Sequence, residues 1–185
     1  MKILAISGSL RAGSHNTALL RAIAEEAPEG IEVELWDGLR DIPVYDADDD
    51  LEPGPGTVEE LRDAVRSADA VVIATPEYNG SIPGGLKNAL DWASRPVATN
   101  VFRNKTVGVI GASVGAFGGV WAQAELRKVL GIMGARVAEI ELPVSHAHEK
   151  ITEDGVVLDD ELRQGLRDAL DSLVETACPE TLTAV

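Results

Sequence analysis

Ile31-Glu32-Val33-Glu34-Leu35-Trp36 alternates apolar with acidic residues, whereas Ala70-Val71-Val72-Ile73-Ala74 is apolar without interruption. A strand covered by helices on one face alternates, while a strand covered on both faces is apolar throughout. Residues 2–7 and 106–112 belong to the second kind, and residues 136–142 to the first. Between these runs the apolar spacing becomes helical. Leu19, Ala22 and Ile23 mark a helix over 16–26, and Val58, Leu61 and Val65 mark one over 57–68. Leu86, Ala89, Leu90 and Ala93 do so over 84–94, Leu126, Val129, Leu130 and Met133 over 119–133, and Leu162, Leu166, Ala169 and Leu173 over 159–176. Regular alternation of strand and helix predicts an α/β fold with a parallel sheet. The first, third and fourth strands then lie at the centre and the second and fifth at the edges. Right-handed crossovers leave the order 2-1-3-4-5.

That order is the flavodoxin-like arrangement: a five-stranded parallel sheet between two helical layers, a three-layer sandwich. No repeat or linker interrupts it, so residues 1–185 are expected to form a single domain. Ligands of such sheets bind outside the carboxyl ends of the strands, where the chain order switches between the first and third. Function is therefore sought after Ser7, after Ala74 and after Ala112.

Composition narrows the partners. The chain carries 31 acidic and 16 basic residues, a formal charge of -15. A field of that sign repels duplex nucleic acid and anionic membranes. An anionic ligand is admissible only where positive charge is concentrated locally. No run approaches the roughly 18 apolar residues of a membrane helix. The apolar start, Ile3 to Ile6, is too short for a secretory core, so a cytoplasmic protein is expected. One cysteine, Cys178, excludes an internal disulfide framework and a cysteine-based zinc site.

The loop after the first strand reads Gly8-Ser9-Leu10-Arg11-Ala12-Gly13-Ser14-His15-Asn16-Thr17 and leads into a helix. Helix N-termini present unpaired N–H groups and partial positive charge, and so accept phosphate. Arg11 adds a guanidinium suited to the same ligand. Gly8 and Gly13 have Walker A spacing, but Ser14 stands where the lysine belongs. Leu10 stands where a dinucleotide fingerprint needs its second glycine. What remains is a hydroxyl-rich loop for a terminal phosphomonoester, as in flavin mononucleotide (FMN). A competing reading makes Ser14 or Asn16 a plain helix cap. After the third strand comes Thr75-Pro76-Glu77-Tyr78-Asn79-Gly80-Ser81, where Asn79-Gly80 signals a turn. Thr75-Pro76 and Gly8-Ser9 lack the aspartates of a phosphoacceptor receiver domain. After the fourth strand comes the glycine-rich stretch Ser113-Val114-Gly115-Ala116-Phe117-Gly118-Gly119.

Gly8-Ser9-Leu10-Arg11 with Ser14 and Asn16, followed by Pro76-Glu77-Tyr78-Asn79 and by Pro83-Gly84-Gly85-Leu86-Lys87-Asn88-Ala89-Leu90-Asp91-Trp92, resembles the NADPH-dependent FMN reductase family. That family includes bacterial quinone, chromate and azo-dye reductases. The resemblance extends through Ala112-Ser113 and the Gln123…Leu126-Arg127 helix. It implies a flavodoxin-like fold, bound FMN, NADPH or NADH as donor, and a homodimer or homotetramer. It also implies cofactor contacts from Ser9, Arg11, Ser14, His15 and Asn16, from Glu77, Tyr78, Asn79 and Gly80, and from Ser113. His15 is expected to give its backbone N–H. Gly80 stands where the family commonly has an aromatic and Trp121 where it commonly has a basic residue, two positions that the resemblance implies shape the open face of the flavin and so the choice of acceptor. The expected reaction is ping-pong transfer from NAD(P)H through FMN to quinones, azo compounds or chromate. No catalytic side chain and no metal ligand is assigned. The rival readings are a flavodoxin-type electron carrier, reduced by a partner protein, and a non-redox protein that uses the fold for assembly.

Other features are read plainly. His146 and His148 flank Ala147, two imidazoles where a zinc site needs more ligands. The acidic run Asp46 to Glu52 lacks EF-hand spacing and reads as a solvated loop within residues 37–56, of the length often used for a lid or interface. Trp36, Trp92 and Trp121 read as core or interface anchors.

Overall fold

The computed structural model describes residues 1–152 and 154–178. Strands β1 (Lys2–Ser7), β2 (Glu32–Trp36), β3 (Ala70–Ala74) and β4 (Thr106–Ala112) form a parallel sheet in the order β2-β1-β3-β4, continued by β5 (Arg136–Val137). The expected order is therefore found. Every residue of β3 and β4 is buried, while β2 at the edge is half-exposed, as the apolar patterns required.

Helices cover both faces. Alternate strand residues Leu4, Ile6, Val71, Ile73, Val107 and Val109 pack under α2 (Gly56–Ser67), α3 (Gly84–Ala93) and α4 (Val120–Ile132). The opposite set, Ile3, Ala5, Val72, Ala74 and Ile110, packs under α1 (His15–Glu26) and α6 (Asp160–Ala177). The period of two along each strand thus divides the apolar residues between two cores.

The fifth sheet position departs from expectation. Residues 136–142 do not form one strand. β5 pairs with Thr106 and Val107, and a further segment, β6 (Pro143–Val144), pairs with Gly111 and Ala112. In the gap the Arg127 guanidinium from α4 donates to Val109 O at 3.1 Å and also to Ile140 O. A side chain takes the place of ladder hydrogen bonds. Ile140 meanwhile sits over Gly108, where a Cβ would lie 2.9 Å from its Cδ1. A short helix, α5 (Ala147–Lys150), follows β6 and was not expected from the sequence.

The long segment after β2 is anchored rather than merely solvated. Asn88 accepts from Tyr45 N (2.8 Å) and donates to Pro43 O (2.8 Å), and Trp92 Nε1 donates to the same carbonyl at 2.9 Å. Farther along, the buried Arg62 donates to Asp50 (3.3 Å), Glu59 (2.6 Å) and Trp92 O (3.0 Å). One of the acidic residues expected in solvent is thus paired with a cation in the core. Trp92 is a core anchor, as read, whereas Trp121 is half-exposed and not part of the core.

Candidate active site

The switch between β1 and β3 creates the site. Gly8 leaves β1 and donates its N–H to Ala74 O at 2.8 Å. A Cβ there would come within 2.9 Å of Leu86 Cδ2 and 3.3 Å of Ala74 O, so only glycine allows the loop to leave the sheet so close to β3. Ser7 Oγ and Thr17 Oγ1 then share a 2.8 Å hydrogen bond that ties the two ends of the loop.

Ser14 caps α1: its Oγ accepts from Thr17 N at 3.2 Å. The cap reading of this residue is therefore correct. It does not occupy the helix end, because the N–H groups of His15 and Asn16 lie in the first turn and have no intrahelical acceptor. Asn16 does something the sequence did not disclose. Its buried amide donates to Ala112 O (3.0 Å) and accepts from Ala112 N (2.9 Å), across 96 residues. The side chain expected to hold a ligand is committed to fastening α1 to the end of β4, because a buried amide must find both a donor and an acceptor. The His15 imidazole has its pKa lowered by partial burial, with further contributions from Arg11 and His148.

In the second loop, Tyr78 and Ser81 exchange backbone hydrogen bonds (3.0 and 3.2 Å). Between them Asn79 (φ 56) and Gly80 (φ 75) both have positive φ, the requirement of a type I′ turn that Asn-Gly meets readily. Glu77 turns its carboxylate toward the third loop. Oε2 accepts from Trp121 N at 3.0 Å and Ala122 N at 3.1 Å, the second and third N–H groups of α4. The residue at the cap position of α4, Gly119, has φ 75 and no side chain to offer, so Glu77 caps that helix from another strand. In the third loop, Ser113 N donates to Val144 O (3.0 Å) and Ser113 Oγ accepts from Gly115 N (3.1 Å).

These three loops line one cavity of about 340 Å³. Ser9, Arg11, Ser14, His15 and Asn16 form its helix-terminus side, Pro76, Glu77 and Tyr78 one wall, and Ala112, Ser113 and Val114 the other. Eight of the ten nominated residues meet there. Asn79 and Gly80 do not line it; they form the turn beyond Tyr78. Sequence reasoning missed Pro76, Ala112 and Val114 as lining residues, since none carries a polar signal. Among the described residues, no group of three or more His, Cys, Asp or Glu side chains is placed to hold a metal. No helix among them is long and apolar enough to cross a membrane.

A phosphomonoester fits the helix-terminus side on chemical grounds. Two first-turn N–H groups, the Ser9 and Ser14 hydroxyls and the exposed Arg11 guanidinium converge there, in a size suited to a small cofactor. The remaining walls are loop backbone, proline and a tyrosine, and suit a flat ring. The family model described as NADPH-dependent FMN reductase matches residues 1–149. The chain belongs to that family. Its relatives include an NAD(P)H-dependent FMN reductase of Pseudomonas aeruginosa, 41% identical over 174 residues, covering 94% of this chain and 93% of the relative. A quinone reductase of Escherichia coli is 44% identical over 138 residues, covering 74% of this chain and 73% of the relative. Among solved structures, the flavoenzyme NAD(P)H:(acceptor) oxidoreductase FerB of Paracoccus denitrificans superposes with a TM-score of 0.83 at 33% identity. That match covers 95% of this chain and 98% of FerB.

Proposed function

We propose that this chain is an FMN-dependent NAD(P)H oxidoreductase that passes reducing equivalents to quinones and similar acceptors, acting as one FMN-binding domain. The observation that carries the reading is the meeting of three loops, from the ends of β1, β3 and β4, in one cavity beside the α1 N-terminus. Relatives named for FMN and quinone reduction support it. Bound there, FMN would supply the redox chemistry, hydride transfer between NADPH or NADH and the acceptor in a ping-pong order.

The chain's own residues bind and orient. The His15 and Asn16 N–H groups, with Ser9, Ser14 and Arg11, hold the phosphate. Backbone of the segment from Glu77 to Gly80, with Ser113, borders the ring. Glu77 and the Asn16 amide keep the second and third loops in register with α1. No side chain is assigned as acid, base or nucleophile.

The exposed, touching rings of Phe117 and Trp121 (centroids 4.9 Å apart), with exposed Val114 and Val120 nearby, support assembly as a homodimer or homotetramer. Cytoplasm is the compartment proposed, since it supplies NAD(P)H. The test is the visible spectrum of the purified, FMN-reconstituted protein under anaerobic conditions. Rapid bleaching by NAD(P)H followed by reoxidation with a quinone is expected. Flavin that binds but is bleached only by a partner reductase marks an electron carrier instead, and a chain that refuses FMN overturns the reading.

A further inference from the structure

A second cavity, of about 650 Å³, adjoins the helix-terminus side of the first and is lined by Arg11, Gly13, His15, His148, Ile151 and Thr152. Arg11 and His15 line both cavities. Both belong to the segment assigned to the phosphate, so this second cavity opens on the phosphate from its outer side.

His148 is brought there by α5, which is pinned to the third loop of the site. Ala147 N donates to Ser113 O at 3.1 Å and His146 N to Gly115 O at 3.2 Å. Ala147 and Ile151, four residues apart, are both buried and fix the side that faces the core. His148 is left exposed at the cavity. Among the described residues, no carboxylate lines this cavity. The Thr152 hydroxyl is committed, donating to Asp154 at 2.5 Å and accepting from Val156 N at 2.9 Å. The donors that remain are the Arg11 guanidinium and two imidazoles, gathered in a chain of net charge -15.

The charged and titratable groups around His148 are Arg11 and His15 on the cavity wall, His146 with its ring centroid 6.3 Å away, and Glu149 and Lys150 on α5. Glu149 Oε1 lies 3.7 Å from His148 Nε2, too far for a hydrogen bond, so the ring nitrogens can still bond a ligand. His15 carries less of the charge, because partial burial, then Arg11 and His148, lower its pKa.

Resting on the function proposed above, we infer that His148 is a further cofactor-binding residue, whose imidazolium bonds the FMN phosphate from α5 and makes FMN affinity depend on pH. It binds and positions, and touches no reacting atom of the flavin. An imidazole ordinarily changes charge at about pH 6.5, so the contact is strong below that value and fades above it. The phosphate stays anionic throughout, since its second proton leaves at about pH 6.

The test is a flavin-fluorescence titration of the full chain with FMN at about pH 6 and about pH 8. His148→Gln should weaken FMN up to about fivefold at the lower pH, the upper worth of an exposed ion pair, and match wild type at the higher. Comparing the two proteins at each pH cancels the ionisation of the phosphate and of His15. His148→Lys, charged at both pH values, should hold FMN more tightly than wild type at about pH 8. Riboflavin, which lacks the phosphate, should bind wild type and His148→Gln alike. A loss in His148→Gln that is absent, equal at both pH values, or equal for riboflavin overturns the inference. Flavin uptake separates the two failures. A protein that takes up neither flavin defeats the function proposed and this inference with it, whereas one that binds FMN with no dependence on His148 defeats only the inference.

Discussion

Glu77→Ala removes the cap of a helix 44 residues away. In the native chain Oε2 accepts from the N–H groups of Trp121 and Ala122 at 3.0 and 3.1 Å, and Gly119 has no side chain to replace it. Loss of an N-terminal cap costs about 1 kcal/mol, and loss of a carboxylate from the positive end of a helix about 0.3–1 kcal/mol. The alanine variant is therefore expected to lose about 1–2 kcal/mol. Glu77→Gln keeps an acceptor and removes the charge, so it should lose only the smaller part. In a domain of this size each kcal/mol lowers Tm by about 2–4 °C, which places the alanine variant roughly 2–8 °C below wild type. Melting the FMN-free protein, followed by circular dichroism, isolates this effect from cofactor binding, which stabilises by mass action. Repeating the melts in about 1 M salt, where the Debye length falls to about 3 Å, should narrow the gap between wild type and the glutamine variant. An alanine variant that melts with wild type refutes the cap. A glutamine variant as unstable as alanine refutes the electrostatic share.

Three further outcomes are expected. Arg11→Ala should weaken FMN by about 1.5–3 kcal/mol in a flavin-fluorescence titration, and an unchanged Kd would remove the guanidinium from the phosphate site. Asn16→Ala should destabilise the fold by about 2–4 kcal/mol in urea, since it breaks two buried hydrogen bonds and strands the Ala112 N–H and C=O; a loss under about 1 kcal/mol would show the clamp to be dispensable. His15, with its pKa below the ordinary 6.5, favours the neutral form in the folded chain. Its contribution is complete above pH 6.5 and is lost as pH falls through the lowered folded value, because there the unfolded chain binds more protons. NMR titration of the FMN-free protein should find His15 below 6.5, and bound phosphate should move it upward; a value above 6.5 without FMN contradicts the burial argument.

The fold was largely readable from local pattern, and the parts that were not depend on contacts between distant residues. The contrast between residues 31–36 and 70–74 placed edge and centre correctly because side-chain alternation reports coverage directly. Asn79-Gly80 announced its turn because positive φ at two successive residues is a local demand. The division of the last strand was hidden, since the Arg127 guanidinium that fills the gap comes from the preceding helix. Asn16 and Glu77 were nominated for the site as cofactor contacts, but their side-chain partners, Ala112 and the start of α4, lie 96 and 44 residues away. Asp50 read as solvated because nothing nearby in sequence disclosed the buried Arg62.

The interrupted edge beside β4 has a consequence for how copies of the chain meet. A long, regular outer strand offers a row of free N–H and C=O groups on which a foreign strand can template. Here that row is reduced to two two-residue pieces. Pro143, in the second, has no N–H to give, and the Ile140 carbonyl between them already accepts from Arg127. An incoming strand would find too few consecutive partners to zip along this side, so the break guards the sheet against runaway edge-to-edge aggregation.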